Sequence, residues 1–170
     1  MKAAIYILNG PGGAGKTTTA RLLAEQLERC ALIEVDEIRK LIVQGESDPF
    51  SKEGQAQLIL SSQNAAQLAR NFYDNGFTVI IDDCVTDKER LDYYCKTLHE
   101  LPFKIFLILP TQEALISRDN ERKGRSKLGR TKIEWLYQRF VERANEEQRW
   151  EIIDNTHLTA TETVKRLQGI

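Results

Sequence analysis

The segment Gly10-Pro11-Gly12-Gly13-Ala14-Gly15-Lys16-Thr17 carries the spacing Gly-x-x-x-x-Gly-Lys-Thr. It follows a short apolar run and opens a helical pattern, which is the context in which this spacing binds phosphate. Glycines let successive N–H groups turn toward one anion, and the N-terminus of the following helix adds its dipole. Lys16 can then contact the terminal phosphates, and the Thr17 hydroxyl can ligate Mg²⁺.

This loop predicts binding of ATP or GTP together with Mg²⁺. A tight turn without a ligand is the alternative interpretation, and the register of Lys16 and Thr17 argues against it. The predicted nucleotide contacts are Gly10, Gly12, Gly13, Ala14, Gly15, Lys16, Thr17 and Thr18. The loop alone does not choose between the two bases.

Acidic residues follow two of the apolar runs that read as strands. Asp82 and Asp83 come directly after the run that ends at Ile81. Ligands of a parallel sheet lie outside the carboxyl ends of its strands, so a carboxylate there can hold Mg²⁺ beside Thr17. We predict Asp82 as this metal-side and substrate-side residue, and Asp83 stays open for the same role. Capping of the next turn is the alternative interpretation of both.

Asp36 follows the second apolar run and precedes a short helical pattern, predicted over Glu37 to Val43. One interpretation is a plain helix cap. The other is a base that accepts the proton of a substrate hydroxyl. Arg39 comes one turn later and is the candidate for binding an anionic or polyhydroxylated substrate, with a solvated helix arginine as the alternative.

A stretch from Arg118 to Arg130 contains six basic and two acidic residues among its thirteen. Phosphoryl transfer needs positive groups on the oxygens of the transferred phosphate. Arg118 and Arg122 lie four apart, hence on one helix face, and are predicted to contact the nucleotide and the transition state. Arg125 and Arg130 are the second-ranked candidates of this stretch, and Arg125 is predicted to contact the substrate. A solvated basic helix end is the alternative.

The elements that must position these residues alternate between short apolar strands and longer helices. Near-continuous hydrophobicity in the strands predicts a parallel sheet covered on both faces, the arrangement of an α/β fold with right-handed crossovers. The predicted strands are Ala3 to Leu8, Ala31 to Val35, Phe77 to Ile81, Phe103 to Leu109 and Trp150 to Ile153.

The helices carry start and stop signals. Thr precedes Glu by three residues at Thr86, Thr131 and Thr159, the spacing of a capping box. A long helix is predicted from Ser51 to Asp74, ended by Asn75-Gly76. The 170 residues fit one domain, with a substrate-side segment over about 36–75 and an arginine-rich lid over about 118–131.

Bulk properties narrow the classes of partner. A net charge of −1 gives no field that would attract nucleic acid or an anionic membrane. Three cysteines without a C-x-x-C pair fit free thiols in a reducing compartment. The N-terminal apolar run is too short for a signal peptide, so a cytoplasmic protein without membrane contact is expected. Nothing in the sequence indicates an oligomer, and a monomer is the default.

The chain resembles the P-loop kinases of the group that includes chloramphenicol phosphotransferases, zeta toxins, gluconate kinases and the kinase domains of polynucleotide kinases. The resemblance is carried by the phosphate loop and four further features: Val35-Asp36-Glu37-Ile38-Arg39, Ile81-Asp82-Asp83, the pair Arg118 and Arg122, and Ile153-Asp154-Asn155-Thr156. It implies a three-layer fold with strand order 2-3-1-4-5, a lid at the arginine stretch, Asp36 as the substrate-side base, and Asn155 and Thr156 near the adenine.

These features together predict an ATP- and Mg²⁺-dependent kinase that phosphorylates a hydroxyl of a small molecule such as a sugar, an antibiotic or a nucleotide-like acceptor. Lys16, Asp36, Arg118 and Arg122 are its predicted catalytic residues. Gluconate is a possible acceptor and no more than that. Gluconate kinases usually have Gly-Asp-x-x-His at the end of the second strand, and this chain has Val35-Asp36 there without that motif. A 5′-hydroxyl polynucleotide kinase stays open as the alternative, and a nucleotide switch or ATPase module as a further one.

Overall fold

The computed structural model describes residues 3–121 and 127–169. Five strands in these ranges form one sheet with all neighbours parallel, in the order β2-β3-β1-β4-β5. The predicted fold class and strand order are therefore confirmed. The strands are β1 (Ile5–Asn9), β2 (Cys30–Glu34), β3 (Thr78–Asp82), β4 (Phe103–Ile108) and β5 (Trp150–Ile153).

The helices follow the strands along the chain and cover both faces of the sheet. They are α1 (Lys16–Ala24), α2 (Val35–Arg39), α3 (Lys52–Asp74), α4 (Lys88–Leu98), α5 (Gln112–Glu121), α6 (Arg130–Glu146) and α7 (Ala160–Gln168). Over the ranges that the structure describes, no helix is long and apolar enough to cross a membrane.

Successive side chains of the buried strands point to opposite faces of the sheet, so the core consists of two layers. Ile5 and Ile7 of β1 point to the layer that α3 covers with a row of small side chains. Leu8 points to the opposite layer, which α1 and α7 cover. Ala65, Ala66 and Ala69 form the α3 row, and Ala20, Leu23, Val164 and Leu167 form the opposite cover. The small residues of α3 let this helix approach the sheet closely, and the sheet is packed on both faces.

The register places three strand ends side by side. Asp82 of β3 pairs with Leu8 of β1 on one side and with Glu34 of β2 on the other. The residues that follow these three positions therefore leave the sheet at the same edge. This edge brings together the phosphate loop, the acidic pair after β3 and the start of α2.

Helix starts show where local sequence signals were misleading. Of the three predicted capping boxes only Thr159 forms one, with Glu162. α4 is capped by Asp87 instead of Thr86, and α6 begins after Gly129, so Thr131 lies inside its first turn. A helix can begin at more than one residue near a Thr-x-x-Glu sequence. Tertiary contacts determine which residue becomes the cap.

Removing the Thr159 hydroxyl should destabilise the protein measurably. Thr159 accepts a hydrogen bond from the N–H of Glu162, and the Glu162 carboxylate bonds back to Thr159. We expect Thr159→Ala to lower the free energy of unfolding by about 1 kcal/mol. Urea denaturation measures this loss. Thr161→Ala, an exposed site in the first turn of the same helix, is the control and should change stability by much less.

Candidate active site

The phosphate loop leaves β1 in a conformation that requires glycine. Gly10 has φ 147°, and a Cβ there would lie 2.3 Å from the carbonyl oxygen of Ile108. Gly15 has φ 90° and precedes the first residue of α1, so the helix N-terminus opens directly from the loop. The Lys16 ammonium donates to the carbonyl of Pro11 at 3.2 Å, across the loop. The loop is thereby shaped as an anion cradle with a cation at its rim.

Asn9, the last residue of β1, supports this loop from below and was missed by sequence reasoning. Its buried side-chain oxygen accepts from the N–H groups of Gly10 and Val85, each at 2.8 Å. Its amide nitrogen donates to the carbonyl of Val85 at 3.1 Å. The side chain thus ties the start of the phosphate loop to the segment after β3. A polar residue that ends an apolar strand was the only available signal.

Replacing Asn9 with alanine would leave three buried backbone groups without these partners. An unsatisfied buried group costs about 1–3 kcal/mol, so we expect Asn9→Ala to lower the free energy of unfolding by about 3 kcal/mol. Chemical denaturation followed by circular dichroism measures the change. An equally stable variant would contradict the supporting role given to Asn9.

Thr17 and Asp82 meet at the end of the loop. The Thr17 hydroxyl donates to the Asp82 carboxylate, which is buried. Burial raises the pKa of Asp82, while the Lys16 ammonium and the Thr17 hydroxyl act against that rise. A hydroxyl and a carboxylate are hard oxygen donors that fit Mg²⁺. No group of three metal-ligating side chains occurs in the described ranges, and Mg²⁺ sites of this kind take most ligands from phosphate and water.

Asp83 points away from this meeting point. Its carboxylate forms an ion pair with Arg90 at 2.5 Å and also accepts from the Tyr94 hydroxyl at 2.8 Å. Its oxygens are therefore occupied inside the protein. Between the two acids that follow β3, geometry favours Asp82 as the candidate ligand.

Asp36 lies on the other side of Asp82 from the phosphate loop. It is exposed, and within the described part of the chain its carboxylate has no hydrogen-bond partner. Its charge is close enough to raise the pKa of Asp82 further. The helix-cap interpretation of Asp36 was wrong, because Glu34 is the cap residue and Asp36 lies in the first turn of α2. The predicted helix from Glu37 to Val43 therefore starts two residues earlier, at Val35, and ends at Arg39.

Cys84 follows Asp83 in the chain, and the charges of Lys16 and Asp36 both act on its thiol. Burial raises the pKa of Cys84 to about 11. The group is consequently protonated at neutral pH, and it is a poor nucleophile.

Arg39 organises the segment that follows α2. Its guanidinium donates to the carbonyl of Ser47 at 2.6 Å and lies 3.3 Å from the Glu46 carboxylate. Gln57 of α3 fixes the same segment by bonding to Gly45 and Ser47. Arg39 thus shapes the substrate-side segment, and direct contact between Arg39 and a substrate stays a prediction.

Arg118 reaches the residues after β5. It donates to the carbonyl oxygens of Asn155 at 2.9 Å and Thr156 at 3.3 Å. The buried Asn155 side chain in turn donates to the carbonyl of Ala14 at 2.9 Å. Arg118, Asn155 and the phosphate loop form one connected group on the nucleotide side.

The other arginines of the predicted lid are less defined. Arg122 and Arg125 lie outside the described residues, so their predicted contacts stay predictions. Arg130 is exposed and pairs with Glu134 at 3.2 Å on α6. Thr18 is exposed at the start of α1.

Asp119 was counted only as an acidic member of the arginine stretch, yet it has a structural function. It is buried at the end of α5 and accepts from the N–H groups of Leu128 and Gly129 at 3.0 and 2.9 Å. These bonds join the end of α5 to the start of α6. A buried acid next to an arginine-rich run carries no sequence signal of such a role.

The strand order and the phosphate loop define a P-loop protein with the fold of P-loop kinases. Residues 5–142 match the AAA_33 family, described as an AAA domain. The chain belongs to this family, and the resemblance to its group of P-loop kinases is confirmed. A search of curated proteins finds no match.

Solved structures with the same fold cover almost the whole chain. A sugar kinase from Janibacter sp. is 16% identical with a TM-score of 0.75, covering 98% of this chain and 93% of its own. The Deinococcus radiodurans tunicamycin resistance protein is 22% identical with a TM-score of 0.71, covering 99% and 95%. A shikimate kinase from Bacteroides thetaiotaomicron is 19% identical with a TM-score of 0.71, covering 98% and 97%. At these identities the likeness shows the fold.

Proposed function

We propose that this protein is an ATP- and Mg²⁺-dependent kinase that transfers the γ-phosphoryl group to a hydroxyl of a small molecule. The observation that carries the proposal is the position of Asp82. Its carboxylate accepts a hydrogen bond from Thr17, and the charges of Lys16 and Asp36 both act on it. The Asp36 carboxylate itself has no hydrogen-bond partner among the described residues. A phosphate-binding side and a carboxylate suited to an acceptor hydroxyl therefore meet at one strand end.

The nucleotide side uses the phosphate loop for the phosphates and the group around Asn155 for the base. Backbone N–H groups of the loop and the α1 N-terminus bind the phosphates, and Lys16 adds positive charge. Arg118 and Asn155 fix the wall beside the loop through their bonds to Thr156 and Ala14. Bound Mg²⁺ would be held by Thr17 and Asp82 and would neutralise charge on the phosphates.

The acceptor side uses Asp36 as the base. The acceptor oxygen forms a bond to the γ-phosphorus while the bond from that phosphorus to the bridging oxygen of ADP breaks. The proton of the acceptor hydroxyl passes to the Asp36 carboxylate. General-base catalysis of this kind contributes about 10²- to 10⁴-fold in rate. A pure nucleotide switch would have no use for an exposed carboxylate at this position.

The class of acceptor is proposed from the near-neutral charge and from the names of proteins with the same fold. Two of these proteins are named as a sugar kinase and a shikimate kinase, and both names refer to a small acceptor that carries hydroxyl groups. A net charge of −1 gives little attraction for a nucleic-acid strand. We accordingly propose a small-molecule acceptor, and we take a cytoplasmic monomer as the working form.

A screen of acceptors with ATP and Mg²⁺ tests this proposal. ADP release would be followed with sugars, aminoglycosides, chloramphenicol-like drugs, nucleosides, nucleotides and 5′-hydroxyl oligonucleotides, each at low and high salt. We expect a small acceptor to stimulate ADP release with little dependence on salt. Stimulation only by oligonucleotides, with a steep salt dependence, would establish a polynucleotide kinase instead.

A further inference from the structure

A buried ion pair lies immediately beyond the strand end that carries Asp82. The Arg90 guanidinium contacts the Asp83 carboxylate at 2.5 Å, and the two side chains are only 2% and 5% exposed. Arg90 comes from the first turn of α4, and Asp83 is the first residue after β3. The proposed transfer reaction uses neither residue.

Every oxygen of Asp83 has partners. Oδ1 accepts from Arg90 and from the N–H of Cys84 at 2.7 Å. Oδ2 accepts from the Ser62 hydroxyl at 2.9 Å and from the Tyr94 hydroxyl at 2.8 Å. Ser62 belongs to α3 and Tyr94 to α4, so one carboxylate connects two helices to the end of β3.

Arg90 completes the arrangement around the next residue. Its Nε donates to the Ser62 hydroxyl at 2.8 Å, and its Nη1 donates to the Cys84 carbonyl at 3.0 Å. The N–H of Cys84 is bound by Asp83, and its carbonyl by Arg90. The Val85 backbone groups are bound by Asn9 in the same way. The chain after Asp82 is therefore fixed residue by residue.

Buried ion pairs are poor stabilisers, because the cost of removing two charges from water offsets most of their attraction. A fully bonded pair of this kind instead specifies one arrangement of the groups around it. The residue of the candidate site that adjoins this pair in the chain is Asp82. Asp82 precedes Asp83 in the chain, and its carboxylate must stay beside the Thr17 hydroxyl.

We propose that Asp83 and Arg90 are positioning residues that hold Asp82 against Thr17 and thereby set the affinity for the Mg²⁺–nucleotide complex. This inference rests on the proposed function, in which Thr17 and Asp82 hold the metal. Residues that orient a metal ligand typically change metal affinity about 10- to 100-fold when they are replaced. Arginine suits this role because its three separate nitrogens donate to Ser62, the Cys84 carbonyl and Asp83, whereas a lysine has all its donors on one nitrogen.

Binding of ADP, measured by calorimetry with and without Mg²⁺, tests the proposal without relying on catalysis. The readout is the Mg²⁺-linked gain, defined as the ratio of ADP affinity with Mg²⁺ to that without it. We expect Arg90→Lys to reduce this gain by about tenfold or more, while the affinity for ADP alone stays nearly unchanged. Tyr94→Phe removes one bond to Asp83 and should reduce the gain less, in the same direction.

Arg70→Lys is the matched control. Arg70 also joins α3 to α4, through a bond to the Thr97 carbonyl and a pair with Glu100, but far along the helices from Asp82. Its Mg²⁺-linked gain should equal that of the wild type. Thermal melting of each variant would confirm that the fold is retained.

Two further outcomes separate this inference from the proposed function. A gain that is unchanged in Arg90→Lys and Tyr94→Phe, but lost in Asp82→Asn, would overturn the positioning role and leave the metal site standing. A wild-type protein without any gain would overturn the metal site, and the positioning role with it.

Discussion

Replacement of Lys16 with alanine should reduce phosphoryl transfer by about 10³-fold, the loss typical of removing a preorganised charge from a developing anion. Lys16 lies at the rim of the phosphate loop, and the one hydrogen bond that its ammonium donates to the described residues goes to the Pro11 carbonyl. The side chain therefore contributes little to the fold. We expect the variant to unfold at nearly the same urea concentration as the wild type, while its kcat/KM falls by about 10³-fold.

Lys165→Ala provides the matched control for this prediction. Lys165 is an exposed lysine on α7, remote from the phosphate loop in the chain, and its loss should leave transfer intact. Steady-state kinetics of both variants at saturating acceptor measures the difference. Wild-type turnover in Lys16→Ala would show that the loop does not bind the transferred phosphate.

Replacement of Asp36 with asparagine should reduce kcat by about 10²- to 10⁴-fold, because the amide cannot accept the proton of the acceptor hydroxyl. The affinity for ATP should change little, since Asp36 lies on the acceptor side of Asp82. The carboxylate is exposed and free of hydrogen bonds to described residues, so the change should not disturb the fold. Pre-steady-state transfer and equilibrium ATP binding measure the two effects separately.

Glu37→Gln is the control for the loss of a negative charge on α2. Glu37 is the next residue along the helix and pairs with Lys40 at the surface. Its neutralisation should leave kcat close to the wild-type value. An Asp36→Asn variant that instead lost ATP binding would place Asp36 on the nucleotide side and contradict its proposed role.

Most of the fold could be predicted because buried parallel strands have a strong signature. The five apolar runs gave strand bounds that differ from the observed ones by at most two residues. The long helix α3 ends at Asp74 as predicted and begins one residue after the predicted start, with Ser51 as its cap. Strand order came from the resemblance to P-loop kinases, because apolar runs alone do not specify which strands are neighbours.

Short elements and caps were harder to predict. Val35 reads as the last residue of an apolar strand, but it is the first residue of α2. A five-residue helix has too little periodicity to be located from its sequence, and contacts with the sheet decide where it starts. For the same reason, Thr86 and Thr131 have the spacing of caps without serving as caps.

The candidate site was predictable where residue type and chain position coincide. The loop pattern identifies Lys16 and Thr17, and the end of a predicted strand identifies Asp82. The difference between Asp82 and Asp83 was not predictable, because it depends on Ser62, Arg90 and Tyr94 from two other helices. Asn9 and Asp119 were missed because their bonds go to backbone groups, which leave no pattern in the sequence.

A single-turnover experiment with γ-labelled ATP tests the central claim most directly. The label would be traced to either an organic acceptor or inorganic phosphate, in the wild type and in Asp36→Asn. The proposed kinase predicts label on the acceptor in the wild type and about 10²-fold slower labelling in the variant. Label that appears only as inorganic phosphate, at equal rates in both proteins and with every acceptor, would contradict it.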